Sequence, residues 1–94
     1  ITTATDAFVI KPPQPYTSQV SVLANDSNSY ELAMSAAQLQ GPTHAQMTMN
    51  ADGTFELSNW DGTKGYDRAF YAATVEGPNG IETATGQMDL LWTD

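Results

Sequence analysis

The stretch Met47-Thr48-Met49-Asn50-Ala51-Asp52-Gly53-Thr54-Phe55-Glu56-Leu57 predicts a β-hairpin. Apolar and polar residues alternate in both of its arms, which is the pattern of strands with one buried face. Between the arms, Gly53 can supply the positive φ that a tight hairpin turn needs. This segment therefore indicates a fold built from strands.

The same alternation recurs at several places along the chain, whereas the helical period fits few. Turn-forming residues separate the apolar segments at spacings of about 8–12 residues, which is typical of a Greek-key β-sandwich. The predicted strands, about seven in all, are Ala7–Ile10, Val20–Ala24, Glu31–Leu39, Ala45–Met49, Thr54–Ser58, Arg68–Val75 and Ile81–Trp92.

Three further predictions, of a strand, a bulge and a loop, rest on particular residues. The segment Glu31–Leu39 also has good helix propensity, and its assignment as a strand depends on its alternation and on its strand neighbours. Gly86 inside the last strand predicts a β-bulge. The prolines at 12, 13 and 15 predict an extended loop after the first strand, since proline fixes φ and removes a backbone donor.

Length and composition point to a single module. The 94 residues correspond to one domain, residues 1–94, and the missing initiator methionine predicts that it is a piece of a longer protein. No apolar run approaches the roughly 20 residues of a membrane span. The chain has no cysteine, which excludes disulfides and favours a bacterial surface or cytosolic protein over a secreted eukaryotic domain.

The charge balance is acidic, with eleven Asp and Glu against three Lys and Arg and a net charge of −8. Nucleic acids and anionic membranes are poor partners for such a chain, because their phosphates are neutralised by clustered basic residues. The acidity is compatible with binding of divalent cations. It is equally compatible with a role in solubility alone.

Several motifs, in a fixed order, carry a family resemblance. They are Asp6-Ala7-Phe8, Val22-Leu23-Ala24-Asn25-Asp26-Ser27, Asn50-Ala51-Asp52-Gly53-Thr54-Phe55, an aromatic strand, Gly77-Pro78-Asn79-Gly80 and Thr83-Ala84-Thr85. Together they resemble the bacterial Ig-like or cadherin-like tandem modules of large secreted adhesins, of the RTX adhesin and VCBS-repeat type. The resemblance spans Asp6 to about Leu91. The loop after Ser27 has fewer acids than the family's usual Asp-Pro-Asp-Gly-Asp type, so the chain looks like a divergent member.

The resemblance implies an Ig-like or cadherin-like Greek-key sandwich with a mechanical function. Such modules are extenders at the bacterial cell surface that hold a binding domain away from the cell. Their partners are neighbouring modules of the same chain, and calcium often stiffens them. Some members bind sugars or proteins themselves.

No motif in the sequence brings together the residues that catalysis would need. His44 is the one histidine, and no serine lies in a Gly-x-Ser-x-Gly elbow. Asp61 and Asp67 form the nearest pair of loop carboxylates, but nothing marks a cleft around them. We therefore expect a module that is not an enzyme.

Asn25 and Asp26 are the candidate ligands for calcium, which prefers carboxylate and amide oxygens. The alternative is that both residues cap their own turn through the backbone, as Asn and Asp commonly do. Further acids and amides that could lie near the ends of the module are Asp6, Glu76, Asn79 and Asp94.

Trp60 and Tyr66 are the candidate ligand-binding residues, because both lie in or beside a polar loop and aromatic faces can stack on sugar rings. They support an alternative function, a binding module for a polysaccharide or a cell-surface protein. The competing interpretation of Trp60 is structural, with the indole folded back to close one end of the sandwich.

Overall fold

The computed structural model describes residues 1–11, 16–18 and 20–93. Within these residues the chain is all-β and has no helix. Its strands are β1 (Asp6–Ile10), β2 (Tyr16–Thr17), β3 (Ser35–Gln40), β4 (Gln46–Met49), β5 (Phe55–Ser58), β6 (Gly65–Gly77) and β7 (Gly80–Trp92). The predicted proline loop after β1 lies outside the described residues.

The strands form two sheets. One has the order β1-β7-β6-β3 and the other the order β2-β5-β4. Every pair within the sheets is antiparallel except β1 and β7, which run parallel with Asp6 opposite Met88 and Ile10 opposite Trp92. Seven strands in two sheets agree with the predicted all-β architecture.

The core lies between the two sheets. Alternate residues of β6 and β7 point inward and meet the inward residues of β4 and β5, as period-2 alternation requires. Phe55 is fully buried and makes an edge-to-face contact with Phe8, with ring centroids 5.0 Å apart. The other large side chains that are almost completely buried are Trp92, Tyr71, Ile10, Leu57, Met88, Leu90, Val22 and Val75.

The long hairpin of β6 and β7 sets the shape of the molecule. Each of its strands has 13 residues, and 13 extended residues span about 43 Å. The principal extents are 45 × 20 × 18 Å, so the hairpin runs the length of the domain. Near its tip, the Tyr30 hydroxyl donates a hydrogen bond to Glu82.

The β4–β5 hairpin confirms the prediction from its sequence. Gly53 has a φ of 86°, and its N–H donates to the Asn50 carbonyl at 2.9 Å. A Cβ at Gly53 would also lie 2.2 Å from the Ser21 Oγ, so the turn needs glycine for close approach as well as for its conformation.

The predicted strand at Val20–Ala24 is wrong. This segment forms turns, and the second strand lies earlier in the chain, at Tyr16–Thr17. Val22 is nevertheless completely buried, while Val20 is 57% exposed. The segment is attached to the β4–β5 turn by single hydrogen bonds, such as the one from Val22 N–H to the Gly53 carbonyl. Val22 is therefore buried although its segment does not pair with a strand.

The prediction for Glu31–Leu39 is confirmed only in its second half. Strand β3 begins at Ser35, residues 31–34 are irregular, and a turn lies before them at Ser29 and Tyr30. The Asn28 carboxamide oxygen accepts hydrogen bonds from the N–H groups of Tyr30 and Leu32. Glu31 has a φ of 56°, a left-handed conformation that lies outside the β region of a regular strand.

The predicted bulge at Gly86 is wrong. Gly86 lies opposite Tyr71 in an unbroken antiparallel register. A Cβ there would lie 2.1 Å from Cζ of the Tyr71 ring. The glycine therefore makes room for the Tyr71 ring, which lies across the strand at this position.

Candidate functional site

Trp60 packs against the end of the sandwich. Its indole stacks on Trp92 with ring centroids 5.4 Å apart and planes 12° from parallel, and its Nε1–H donates to the Thr63 carbonyl at 2.8 Å. The side chain is half-buried and contacts the hydrophobic core. One aromatic face is thus already covered by protein.

Tyr66 lies in a different environment. It is 83% exposed and projects from β6 on the outer face of the four-stranded sheet. The preceding residue, Gly65, lies opposite Trp92, whose side chain points into the core. Because successive side chains point to opposite faces, Tyr66 and the Trp60–Trp92 stack lie on opposite sides of this sheet. The structure does not bring the two predicted ligand-binding residues together.

Asp26 is buried, and its carboxylate connects two other parts of the chain. Oδ1 accepts a hydrogen bond from Ala4 N–H at 2.9 Å, and Oδ2 accepts one from the Tyr71 hydroxyl. The carboxylate thus holds the N-terminal segment against β6. Its neighbour Asn25 is exposed, and the Asn25 side chain acts to lower the pKa of Asp6.

Asp6 is the third member of this polar cluster, which we define as Asp6, Asn25, Asp26 and Tyr71. Burial raises the pKa of Asp6 to about 6; the hydrogen bond from Asn25 opposes this rise, and the negative charge of Asp26 adds to it. The Tyr71 hydroxyl lies 3.5 Å from the Asp6 carboxylate and 3.2 Å from the Val22 carbonyl. Burial, followed by the hydrogen bond to Asp26, raises the pKa of Tyr71.

The sequence predicts Asp6 and Asp26 separately, and the structure brings them together. Tyr71 was missed. The sequence feature that could have indicated Tyr71 is a tyrosine at an inward position of a buried strand. Its hydroxyl group needs a buried hydrogen-bond partner. The other residues predicted near module ends lie elsewhere: Glu76 and Asn79 lie near the tip of the β6–β7 hairpin, and Asp94 lies outside the described residues.

A second buried carboxylate, Asp67, lies near the beginning of β6. It accepts hydrogen bonds from the N–H groups of Thr43, His44 and Arg68 and from the Trp92 indole. Burial by itself would raise the pKa of Asp67, but these donors outweigh it and hold the pKa below its ordinary value. The carboxylate therefore joins the β3–β4 loop to the last strand.

His44 and Asp61 form a surface pair beside this carboxylate. The His44 Nδ1 lies 2.9 Å from Oδ2 of Asp61. Their hydrogen bond raises the pKa of His44 and lowers that of Asp61. Asp61 also accepts a hydrogen bond from Thr63 N–H, so the pair fixes the loop that carries Trp60.

Over the described ranges, 1–11, 16–18 and 20–93, no three His, Cys, Asp or Glu side chains are placed to hold a metal ion together. Those ranges also contain no helix long and apolar enough to cross a membrane.

No protein-family model matches this chain, and no curated protein or solved structure is significantly similar to it.

Proposed function

We propose that this chain is an Ig-like module that acts as a non-catalytic spacer in a bacterial cell-surface adhesin. The observation that carries the proposal is the parallel pairing of β1 with β7. With the first and last strands parallel, the chain enters beside Thr85, near the middle of β7, and leaves at the Trp92 end, so that its entry and exit are displaced along the long axis of the domain. Flanking modules would then lie in line, which is the arrangement an extender requires.

The positions of the terminal segments support this arrangement. The Thr3 hydroxyl donates to the Thr85 carbonyl, whereas Thr93 N–H donates to the Ile10 carbonyl. Eight residues of extended strand separate Thr85 from Thr93, or about 26 Å. The domain is 45 Å long and 18–20 Å across, so this separation follows its long axis.

The strand order supports the Ig-like part of the proposal. In immunoglobulin sandwiches the second, fifth and fourth strands are neighbours in one sheet, and the third, sixth and seventh in the other. The orders β2-β5-β4 and β3-β6-β7 have the same neighbours. The first strand pairs here with β7 and not with β2.

Scattering from a tandem protein tests the spacer function. Two copies joined head to tail should have a maximum dimension well above the 45 Å of one copy. A matched tandem with a Gly/Ser-rich insert between the copies should be more compact on average, because such linkers behave as flexible coils. A compact or freely jointed profile for the direct fusion would refute the spacer function.

The proposal extends to calcium at the polar cluster. Asp6 and Asp26 place two negative charges in a buried site, and a divalent cation would relieve their repulsion. Calcium takes six to eight oxygen ligands, so the side chains of Asp6, Asn25 and Asp26 would supply part of the set. The ion would compete with the hydrogen bonds that Asp26 accepts from Ala4 and Tyr71.

Thermal melts in calcium, magnesium and chelator test this extension. A ligand at a hundredfold excess over its Kd stabilises the folded state by about 2.7 kcal/mol, and each kcal/mol raises Tm by about 4–8 °C in a domain of this size. Asp26→Asn should abolish the calcium shift, whereas Glu76→Gln, at an exposed acid of β6, should retain it. Equal melting in calcium and chelator would remove calcium from the proposed function.

A further inference from the structure

The outer face of the four-stranded sheet carries an apolar row at one end. Val9 lies opposite Leu91 on β7, and Leu91 lies opposite Tyr66 on β6. Val9 is 60% exposed and Tyr66 is 83% exposed, while Leu91 between them is half-buried. All three stand on strands in regular register, so the row is a rigid platform and not a loop tip.

A polar row lies next to this platform. Asp89 lies opposite both Ala7 and Arg68. The Arg68 Nε lies 3.4 Å from Oδ1 of Asp89, and the Gln87 carboxamide donates to the same oxygen at 2.9 Å. The row therefore presents a guanidinium, a carboxylate and an amide side by side.

Two shallow depressions meet at Tyr66. One, of about 480 Å³, is lined by Thr43, Tyr66, Asp67, Arg68 and Asp89. The other, of about 200 Å³, is mainly apolar and lies over Ala7, Val9 and Leu91. Tyr66 and Asp89 border both, so the polar and apolar depressions form one continuous surface, which we name the Tyr66 face.

The Tyr66 face has the chemistry of a sugar-binding surface. A pyranose ring has an apolar C–H face and a rim of hydroxyl groups, each of which both donates and accepts hydrogen bonds. An exposed tyrosine offers a flat apolar ring with a polar tip. Beside it, Arg68 supplies donors in a planar fork, Asp89 supplies acceptors and Thr43 borders the same depression.

Charge argues against other partners. Arg68 is balanced by Asp89, and the whole chain carries −8, so an anionic polymer would be repelled. A second copy of this chain carries the same charge. Three apolar side chains also fall well short of the roughly 800 Å² per partner of a stable protein interface. A neutral, hydroxyl-rich chain that can lie along an open face fits these features.

We propose that the Tyr66 face binds a neutral polysaccharide, with a pyranose ring stacked on Tyr66 and its hydroxyl groups hydrogen-bonded by Arg68 and Asp89. This site is independent of the spacer function: a module can hold distance and also contact a glycan along its side.

Affinity electrophoresis in native gels tests the proposal. The probes are a soluble β-glucan, a mannan and a galactomannan, with alginate as the anionic comparison. We expect retardation in at least one neutral gel and none in alginate. Tyr66→Ala should weaken that association about tenfold or more, since it removes the stacking ring. Ile81→Ala is the matched control, because Ile81 is 71% exposed at the other end of β7.

Three outcomes would overturn the proposal: no retardation in any of the neutral gels, equal retardation of wild type and Tyr66→Ala, or retardation by alginate alone. Both substituted side chains are exposed, so thermal melts should show unchanged folding of both variants. Sedimentation of the free protein tests whether a second copy of this chain binds the Tyr66 face instead. A dimer that is lost in Tyr66→Ala would assign the face to that second copy. The scattering experiment on the tandem protein does not depend on glycan binding. The spacer proposal can therefore be refuted or supported independently of the Tyr66 face.

Discussion

The buried hydroxyl of Tyr71 donates a hydrogen bond to the carboxylate of Asp26, which lies 45 residues earlier in the chain. This contact joins β6, one of the two central strands of the larger sheet, to the turn that follows Val22. Since Asp26 also holds Ala4 N–H, one carboxylate fixes the entering chain relative to the sheet. The polar cluster is therefore a structural joint between the N-terminal segment and the larger sheet.

Tyr71→Phe should destabilise the domain. The substitution keeps the ring but removes the donor, leaving the buried carboxylate of Asp26 with one partner fewer, at a cost of about 1–3 kcal/mol. Chemical denaturation followed by tryptophan fluorescence measures the change. Tyr66→Phe is the matched control, because it removes an exposed hydroxyl from the same strand, and its free energy of unfolding should stay near the wild-type value. Equal stability of the two variants would show that the joint contributes nothing.

Gly86→Ala should be more damaging than its size suggests. The new Cβ would overlap the ring of Tyr71, which is fully buried and cannot move aside without losing Asp26. Overpacking of this kind costs about 1–3 kcal/mol, and the broken hydrogen bond adds to that. Thr85→Ala, at an exposed neighbour on the same strand, is the control. A melting temperature unchanged by Gly86→Ala would mean that the ring does not lie across the glycine.

Asp67→Asn should destabilise the end of the domain where β6 begins and β7 ends. The change keeps the size of the side chain but replaces a carboxylate that accepts four hydrogen bonds with a neutral amide. Hydrogen bonds to a charged group contribute about 1.5–3 kcal/mol, so we expect a loss of at least about 2 kcal/mol. Asp89→Asn, on the outer face, is the control for the loss of one charge. Comparable unfolding midpoints for the two variants would contradict a structural role for Asp67.

Local sequence patterns predicted the strands that pair regularly in the sheets. They failed for segments that are held by single backbone hydrogen bonds or by side chains. Apolar and polar residues alternate in the β4–β5 hairpin, and β6 contains a run of residues with high β propensity. From Gly86 onward, β7 has one buried face. At Val20–Ala24 a buried valine resembles a strand, yet turns and single hydrogen bonds hold it. At Glu31 the side chain of Asn28 directs the turn, which apolar alternation cannot report.

The candidate sites depend on contacts between distant residues, which a local pattern does not contain. Asp6 and Asp26 were singled out by residue type, but their meeting at Tyr71 requires the parallel pairing of β1 with β7. Trp60 and Tyr66 are close in sequence and were grouped on that basis. The alternation of β6 separates them, because Tyr66 points outward while the Trp60–Trp92 stack lies on the inner side.

Asp6 should make the stability of the domain depend on pH between about 4 and 6. Its pKa is raised from 3.8 to about 6 in the folded state, so the folded protein holds this proton more tightly than the unfolded chain does. The free energy of unfolding should therefore fall as pH rises through this window and level off above it. His44 does not interfere, since its pKa is raised above 6.5 and its pairing with Asp61 weakens only at higher pH.

Asp6→Asn removes this titration and should flatten the profile between pH 4 and 6. At pH 7 the variant should be more stable than wild type by about 1–3 kcal/mol, and each kcal/mol raises Tm by about 4–8 °C, because a buried negative charge beside Asp26 is lost. Melts in chelator keep divalent cations out of the comparison. Asp52→Asn is the control, since hydrogen bonds from Thr54 lower the pKa of Asp52 and its contribution is lost only below pH 3.8. A wild-type profile that rises from pH 4 to 6 would show that Asp6 stabilises the fold as an anion, and the polar cluster would then be a site that favours charge.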